Sequence, residues 1–234
     1  METVCVNCKN NMCVSRVPIF SPLDYEDMVE ITKMIAHRDY SRGEFLCKEG
    51  DKSSALFIVN QGKVKLCKHD RDGREQILSI LSDGSMFGEY YLFSDYEPYN
   101  FSAVALDDVK ICMLSKKDMD YLFSKHPDIS RKVIAELSNK LVKAEKLAQN
   151  LSSINTDSKV AYVLTELSQA YGKEVQGHIE MNIPITREEM ASYAGVTRET
   201  MSRKLNAFEK SGWIETRGNK VLIIKNAQAI KDMI

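Results

Sequence analysis

The sequence predicts an α+β chain in three parts: a small glycine-punctuated β-roll, one long helix, and a C-terminal helical domain closed by a β-hairpin. Three observations carry this reading. Six of the eleven glycines fall between Gly43 and Gly88, mostly 7 to 12 residues apart and separated by short apolar runs, which is the punctuation of a many-stranded small β-structure. From Pro127 to about Ile154 no glycine or further proline interrupts an amphipathic pattern. Near the C-terminus, Trp213-Ile214-Glu215-Thr216 and Val221-Leu222-Ile223-Ile224 flank Arg217-Gly218-Asn219-Lys220, as the strands of a hairpin with a basic tip would.

Composition bounds the function. The 234 residues are 44% hydrophobic and 28% charged, enough to bury a core in two modest domains. A formal net charge of −1 excludes a uniformly basic nucleic-acid coat, so any basic surface is local. The longest apolar stretches, Ala55–Val59 and Val221–Ile224, are far shorter than the ~20 residues that span a bilayer. Met1 to Met12 is polar and cysteine-bearing without an apolar signal region, so no membrane partner and a cytoplasmic location are expected. In that reducing compartment the six cysteines are expected as thiols or metal ligands rather than structural disulfides.

The elements follow in order. Residues 1–18 form a cysteine-bearing arm, and 19–126 the domain that contains the roll, whose strands run from about Ile19 to Leu114. Within it, Phe101–Leu114 reads as a strand pair turning at Asp107-Asp108, while Cys47 and Cys67 are expected as small core residues. Over 127–154, Ile134, Leu137, Leu141, Ala144, Ala148 and Leu151 are spaced 3-4-3-4-3, a coiled-coil seam that predicts a homodimer. Val133, Val142 and Leu147 lie off that seam and predict a second buried face. Asn155-Thr156-Asp157 supplies cap residues for the next helix, Lys159–Tyr171, and opens a domain over 155–234.

Inside that domain, Thr186 can cap one short helix, Gly195 sits in a tight turn, and a second helix follows, the pattern of a helix-turn-helix. Met201, Leu205 and Phe208 give the second helix one apolar face; Glu199, Ser202, Arg203 and Asn206 give the opposite one. That outer face suits base edges, because arginine can bond O6 and N7 of guanine and glutamate can accept from the cytosine amino group. From Val196 to Lys225 seven basic residues stand against three acidic ones, a local balance of +4 that can supply phosphate contacts. Thr197, Arg198, Arg217 and Lys220 complete the expected DNA-contacting set, the last two on the wing. The four histidines, His37, His69, His126 and His178, include no metal-binding pair, so no enzyme is expected.

The roll, the long helix and the run Thr186–Gly212 together resemble the CRP/FNR family of bacterial transcription regulators over nearly the whole chain. The resemblance implies a cyclic-nucleotide-binding-like roll, a dimerisation helix and a winged helix-turn-helix that reads a pseudo-palindromic site in double-stranded DNA. Glu199, Ser202 and Arg203 match the reading residues of the FNR-type branch, and Arg198 matches one of the CRP-type branch, which leaves TTGAT-like and TGTGA-like half-sites both open. By resemblance alone, loops around Ser94–Tyr99 are expected to touch RNA polymerase.

The same resemblance frames the signal. The cyclic-nucleotide branch clamps a phosphate with an arginine after a Gly-Glu pair; Gly88-Glu89 is present here, but no arginine occurs between Arg74 and Arg131. Without that bidentate, charge-assisted partner, cyclic nucleotide is not the expected effector. The aromatics from Phe87 to Phe101 read as roll core plus a surface loop. Cys5, Cys8 and Cys13 form Cys-x2-Cys-x4-Cys, and with the remote Cys112 they resemble the FNR arrangement of ligands for a four-iron, four-sulfur [4Fe-4S] cluster. The spacing departs by one residue from the better-known pattern. A thiol–disulfide switch and structural zinc remain open for the same four sulfurs, and a regulator of the same fold controlled by an unidentified small ligand, with the cysteines incidental, is the remaining alternative.

Overall fold

Two stretches of fully buried apolar residues set the frame of the N-terminal half. Ala55–Gln61 buries five consecutive residues and Ser102–Ala105 buries all four, so each must be a strand covered on both faces. The computed structural model describes residues 13–52, 55–93, 98–218 and 220–234, with Cys13 described by its backbone alone. The strands are β1 (Ala36–Tyr40), β2 (Phe45–Cys47), β3 (Ala55–Gln61), β4 (Val64–His69), β5 (Glu75–Leu81), β6 (Met86–Phe87), β7 (Ser102–Ala105) and β8 (Val109–Ser115). They make two four-stranded sheets, ordered β1-β8-β3-β6 and β2-β7-β4-β5. Register pairs Ile58 and His37 with Cys112, and Leu56 with Leu114.

The N-terminal half departs from two expectations. Strands do not begin near Ile19: that stretch holds a short 3-10 turn, Pro18–Phe20, and helix α1 (Tyr25–Met34), whose first turn is capped by Asp24 accepting the Asp27 N–H at 2.9 Å. Phe101–Leu114 does contain two strands, but β7 and β8 do not pair with each other. Asp107, between them, accepts from the Lys63 backbone N–H at 2.7 Å and pairs with its ammonium at 3.3 Å, so the turn is spent crossing from one sheet to the other rather than closing a hairpin.

After β8, helix α2 (Lys116–Lys125) starts in a capping box between Ser115 and Asp118 and buries Met119 and Leu122. Helix α3 (Pro127–Ser152) follows, with proline in its first turn where the missing N–H costs nothing. Ile129 and Val133 are fully buried in the roll core and Leu147 is buried further along the helix, so Val133 and Leu147 lie off the open side as expected, whereas Leu137, expected on the subunit seam, packs against the roll core instead. Val142, expected with Val133 and Leu147, is 49% exposed and widens the outward stripe of Ile134 (58%) and Leu141 (61%). Ala144 and Ala148 are exposed and Leu151 half-buried, so most of the heptad seam lies open on the single chain.

Contacts divide the chain into two compact units, the first running to Lys68 and resuming over Ile80–Lys143, the second comprising His69–Ser79 and Ala144–Ile234. In the second, α4 (Thr156–Tyr171) is capped by Asn155 and buries Val160, Ala161, Val163, Leu164 and Leu167. A hairpin of β9 (Gly172–Val175) and β10 (His178–Asn182) precedes α5 (Arg187–Ala194) and α6 (Arg198–Lys210). The chain closes with β11 (Ile214–Arg217), β12 (Val221–Ile224) and α7 (Ala227–Lys231), the strands joining in one sheet ordered β11-β12-β10-β9. Among the described residues no helix is long and apolar enough to cross a membrane.

Candidate nucleic-acid interface

Helix α5 begins at a reciprocal cap, the Thr186 hydroxyl accepting from the Glu189 N–H at 3.2 Å and the Glu189 carboxylate from the Thr186 N–H at 2.8 Å. It ends at Gly195, whose φ of +62° closes the turn. A side chain there would be strained, and its Cβ would stand 2.6 Å from Leu151 Cδ2. Thr197 then caps α6, accepting from the Thr200 N–H at 3.2 Å.

On α6, Met201, Leu205 and Phe208 are buried, and Phe208 meets Trp213 at 5.5 Å between ring centroids. Arg198, Glu199, Arg203 and Asn206 are exposed and Ser202 is half-buried on the opposite face. The expected reading residues therefore share one outward surface, while Thr197 is committed to the cap. The Glu199 carboxyl is held below the ordinary glutamate range, first by its own backbone N–H and then by the Thr197 side chain, so it is an ionised acceptor at neutral pH.

The basic residues divide into two groups. Lys204 Nζ turns inward to Asp157 Oδ2 at 2.7 Å and fastens α6 to the start of α4. On the wing, Glu215 takes both Arg217 Nε at 2.7 Å and Lys225 Nζ at 2.6 Å, which holds its carboxyl below the usual range. Arg217 stays exposed beside that pair, and Lys220 is exposed at the wing's tip; Asn219 lies outside the described residues. Sequence reasoning missed Glu209, whose carboxylate accepts the Thr216 N–H at 2.8 Å and the Thr216 hydroxyl at 3.1 Å, tying the last turn of α6 to β11. It also missed Arg187, whose half-buried guanidinium has, among the described residues, no hydrogen-bond partner at Nη1. The cap-and-first-residue pair Thr186-Arg187 was the available signal.

In the roll, aromatic rings pack together at the corner after Gly88. Phe57 stacks on Phe87 at 4.7 Å, Tyr91 meets Tyr99 edge-on at 4.9 Å, and Phe101 packs beside them. The Tyr91 hydroxyl accepts the Asn100 N–H at 2.8 Å and donates to Asn100 Oδ1 at 2.9 Å. Glu89 is buried, and its Oε1 takes Lys140 Nζ from α3 at 2.5 Å while that ammonium also donates to the Met86 carbonyl at 2.6 Å. Tyr90 and Phe93 are exposed, so the aromatics divide into core and surface as expected, with Tyr96 and the 94–97 loop outside the described residues.

Of the expected cluster ligands, Cys5 and Cys8 lie outside the described residues and so does the side chain of Cys13. Cys112 is fully buried on β8, with Sγ 3.4 Å from His37 Nδ1. It shares one apolar core with Val14 and Val17, just after Cys13, and with Ile129 and Val133 of α3. Cys47 and Cys67 are buried on their strands, and burial pushes the Cys47 thiol up to about 12. Among the described residues no three His, Cys, Asp or Glu side chains stand together as a metal site.

Comparison with known proteins accounts for both units. Residues 37–126 match the cyclic nucleotide-binding domain and residues 158–233 the Crp-like helix-turn-helix domain. The chain is 30% identical over 210 residues to the CRP-like cAMP-activated global transcriptional regulator of Mycobacterium tuberculosis, covering 90% of this chain and 93% of that protein. It is 26% identical over 228 residues to the Anaerobic regulatory protein of Aggregatibacter actinomycetemcomitans, covering 97% and 86%. The fold is that of FixK2 from Bradyrhizobium japonicum, with a TM-score of 0.76 at 24% identity over 85% of this chain and 96% of that one. The domains and relatives are those of transcription regulators, not enzymes. With a roll, a long helix and a winged helix-turn-helix in one chain, the protein belongs to the CRP/FNR family of sequence-specific DNA-binding transcription regulators.

Proposed function

We propose that the protein is a homodimer that places one α6 per subunit in successive major grooves of a pseudo-palindromic operator, and that the oxidation state of Cys5, Cys8, Cys13 and Cys112 sets its DNA affinity. One observation carries the second half: Cys112, the arm's Val14 and Val17, and Ile129 and Val133 of α3 belong to a single core. A chemical change at Cys112 therefore acts on the packing of the helix whose seam pairs the subunits. The Aggregatibacter relative, by its name an anaerobic regulator, supports the same reading.

Cyclic nucleotide is set aside as the signal on chemistry. The stretch Tyr99-Asn100-Phe101-Ser102 offers no guanidinium for a phosphate, aromatic rings pack at the corner, and the Lys140 ammonium pairs with Glu89. The four thiols suit a [4Fe-4S] cluster, which would supply an oxygen-labile centre joining the arm to β8. The chain's own contribution is to bury Cys112 away from bulk water and to tie that core to α3. In the favoured state the two reading helices stand one DNA turn apart, ~34–36 Å, and oxidation lowers the population of that state.

A second reading has its own support. His37 Nδ1 stands 3.4 Å from Cys112 Sγ, close enough for the tautomer with a bare Nδ1 to take the thiol proton, as a thiol–disulfide switch needs. There, Cys112 and an arm cysteine would lose two protons and two electrons to a peroxide, forming the S–S bond and two waters.

Iron and acid-labile sulfide measured on protein purified without oxygen separate the two. About four of each per chain is the expected result for the cluster. Neither, in protein that still binds DNA, would reject the cluster in favour of the thiol switch.

A further inference from the structure

The segment that follows the arm cysteines is a strap across the roll. It runs through two short 3-10 turns, Cys13–Arg16 and Pro18–Phe20, and buries Val14, Val17, Ile19 and Phe20 in the core that holds Cys112. Apolar burial is non-directional, so it does not by itself fix where such a strap sits. A charged side chain supplies the position. Arg16 Nη2 donates to the Asn60 carbonyl at 3.0 Å and also to Asn60 Oδ1, while Nη1 lies 4.0 Å from Asp83 Oδ2.

The seat is itself built. Asn60 is 6% exposed at the end of β3, a buried amide whose oxygen needs a donor. Asp83 is oriented by accepting the Gly62 N–H at 2.9 Å. Beside it Gly84 has φ +81°, a conformation that strains any other residue, and a Cβ there would stand 3.0 Å from the Arg16 carbonyl oxygen, so the strap passes in tight contact with a backbone that favours glycine.

We propose that Arg16 is the latch of this strap: seated on Asn60 and Asp83 it keeps Val14 and Val17 packed in the core around Cys112, and its release opens Cys112 to solutes and to the arm's own cysteines. The role of Cys112 rests on the function proposed above. The latch itself is tested without any cluster, so failure of either leaves the other standing or falling on its own measurement.

The test follows alkylation by iodoacetamide in the full-length protein, reduced and stripped of metal by chelation, with labelling of each cysteine read by peptide mass spectrometry. Arg16→Ala removes charge-assisted hydrogen bonds from a local opening reaction and should speed labelling of Cys112 about tenfold or more. Cys47 on β2 and Cys67 on β4 should keep their wild-type rates, and Arg16→Lys, which keeps the charge but loses the fork, should fall between. An unchanged rate at Cys112, or an equal rise at all three cysteines, overturns the latch. Should Arg16→Ala not accumulate as folded protein, Asp83→Asn weakens only the exposed ion pair and should raise the Cys112 rate by a few-fold. No change in that variant also overturns it.

Discussion

Arg203 stands exposed on α6 among Glu199, Ser202 and Asn206, whereas Lys220 stands at the tip of the wing. The two positions call for different chemistry. Replacing Arg203 by alanine should cost about 1–3 kcal/mol on a specific operator and relax guanine preference, with little change on random DNA. Replacing Lys220 by alanine should weaken all sequences alike and reduce the salt slope by about one. Competition binding on specific and scrambled duplexes at several salt concentrations reads both, and equal losses on the two duplexes for Arg203→Ala would contradict base reading. At this scale much was legible, because spacing of 3.6 residues per turn sorts a helix into faces without knowledge of its neighbours. What spacing does not give is partnership. Lys204 counted as a phosphate contact in the sequence, and Asp157, nearly fifty residues earlier, takes it inward. Burial sets a further prediction. Tyr162 on α4 is pushed up to about 12 from 10.0 by burial, aided by Glu166. A raised folded-state pKa favours the protonated form, so this contribution is whole below pH 10 and is lost as pH rises towards 12. Thermal unfolding should show stability falling over that window, and Tyr162→Phe should shrink the fall.

Among the elements, α3 has the clearest test. Its seam residues Ile134 and Leu141 are 58% and 61% exposed on the single chain, far more than an unpaired apolar stripe of a lone helix warrants. Leu141→Glu should leave helix content unchanged and shift sedimentation from twice 26.6 kDa to the single-chain mass. A dimer that survives the substitution would place the subunit contact elsewhere. The long helix and the wing were legible because each has an unbroken period or an obvious turn. Helices α1 and α2 were not anticipated, being ten residues each with only one and two fully buried positions, too little periodic signal to stand out beside a β-rich neighbourhood. Ser115 and Asp118 were the recoverable clue to α2. The separation of β7 and β8 into different sheets was beyond local reading, because the choice is made by Lys63 and Asp107 across the roll.

At the scale of the whole molecule, one core joins the strap near the N-terminus to the start of α3. Cys112 is buried with the strap on one side of the sequence and the first turns of α3 on the other, so its side chain shares close packing with both. The family's architecture was legible in the sequence, since the glycine spacing, the heptad seam and the helix-turn-helix each have a local signature. The shared core was not, as its members come from positions 14 to 133. The most direct test measures affinity for duplexes bearing TTGAT- and TGTGA-type palindromes, by anisotropy, on protein kept anaerobic and on the same protein after exposure to air. Wild-type affinity for its operator should fall about 5- to 150-fold in air, the usual span of a coupling between sites, and Cys112→Ser should abolish the difference. Equal wild-type affinity in the two atmospheres, or a full response in Cys112→Ser, would contradict control through Cys112.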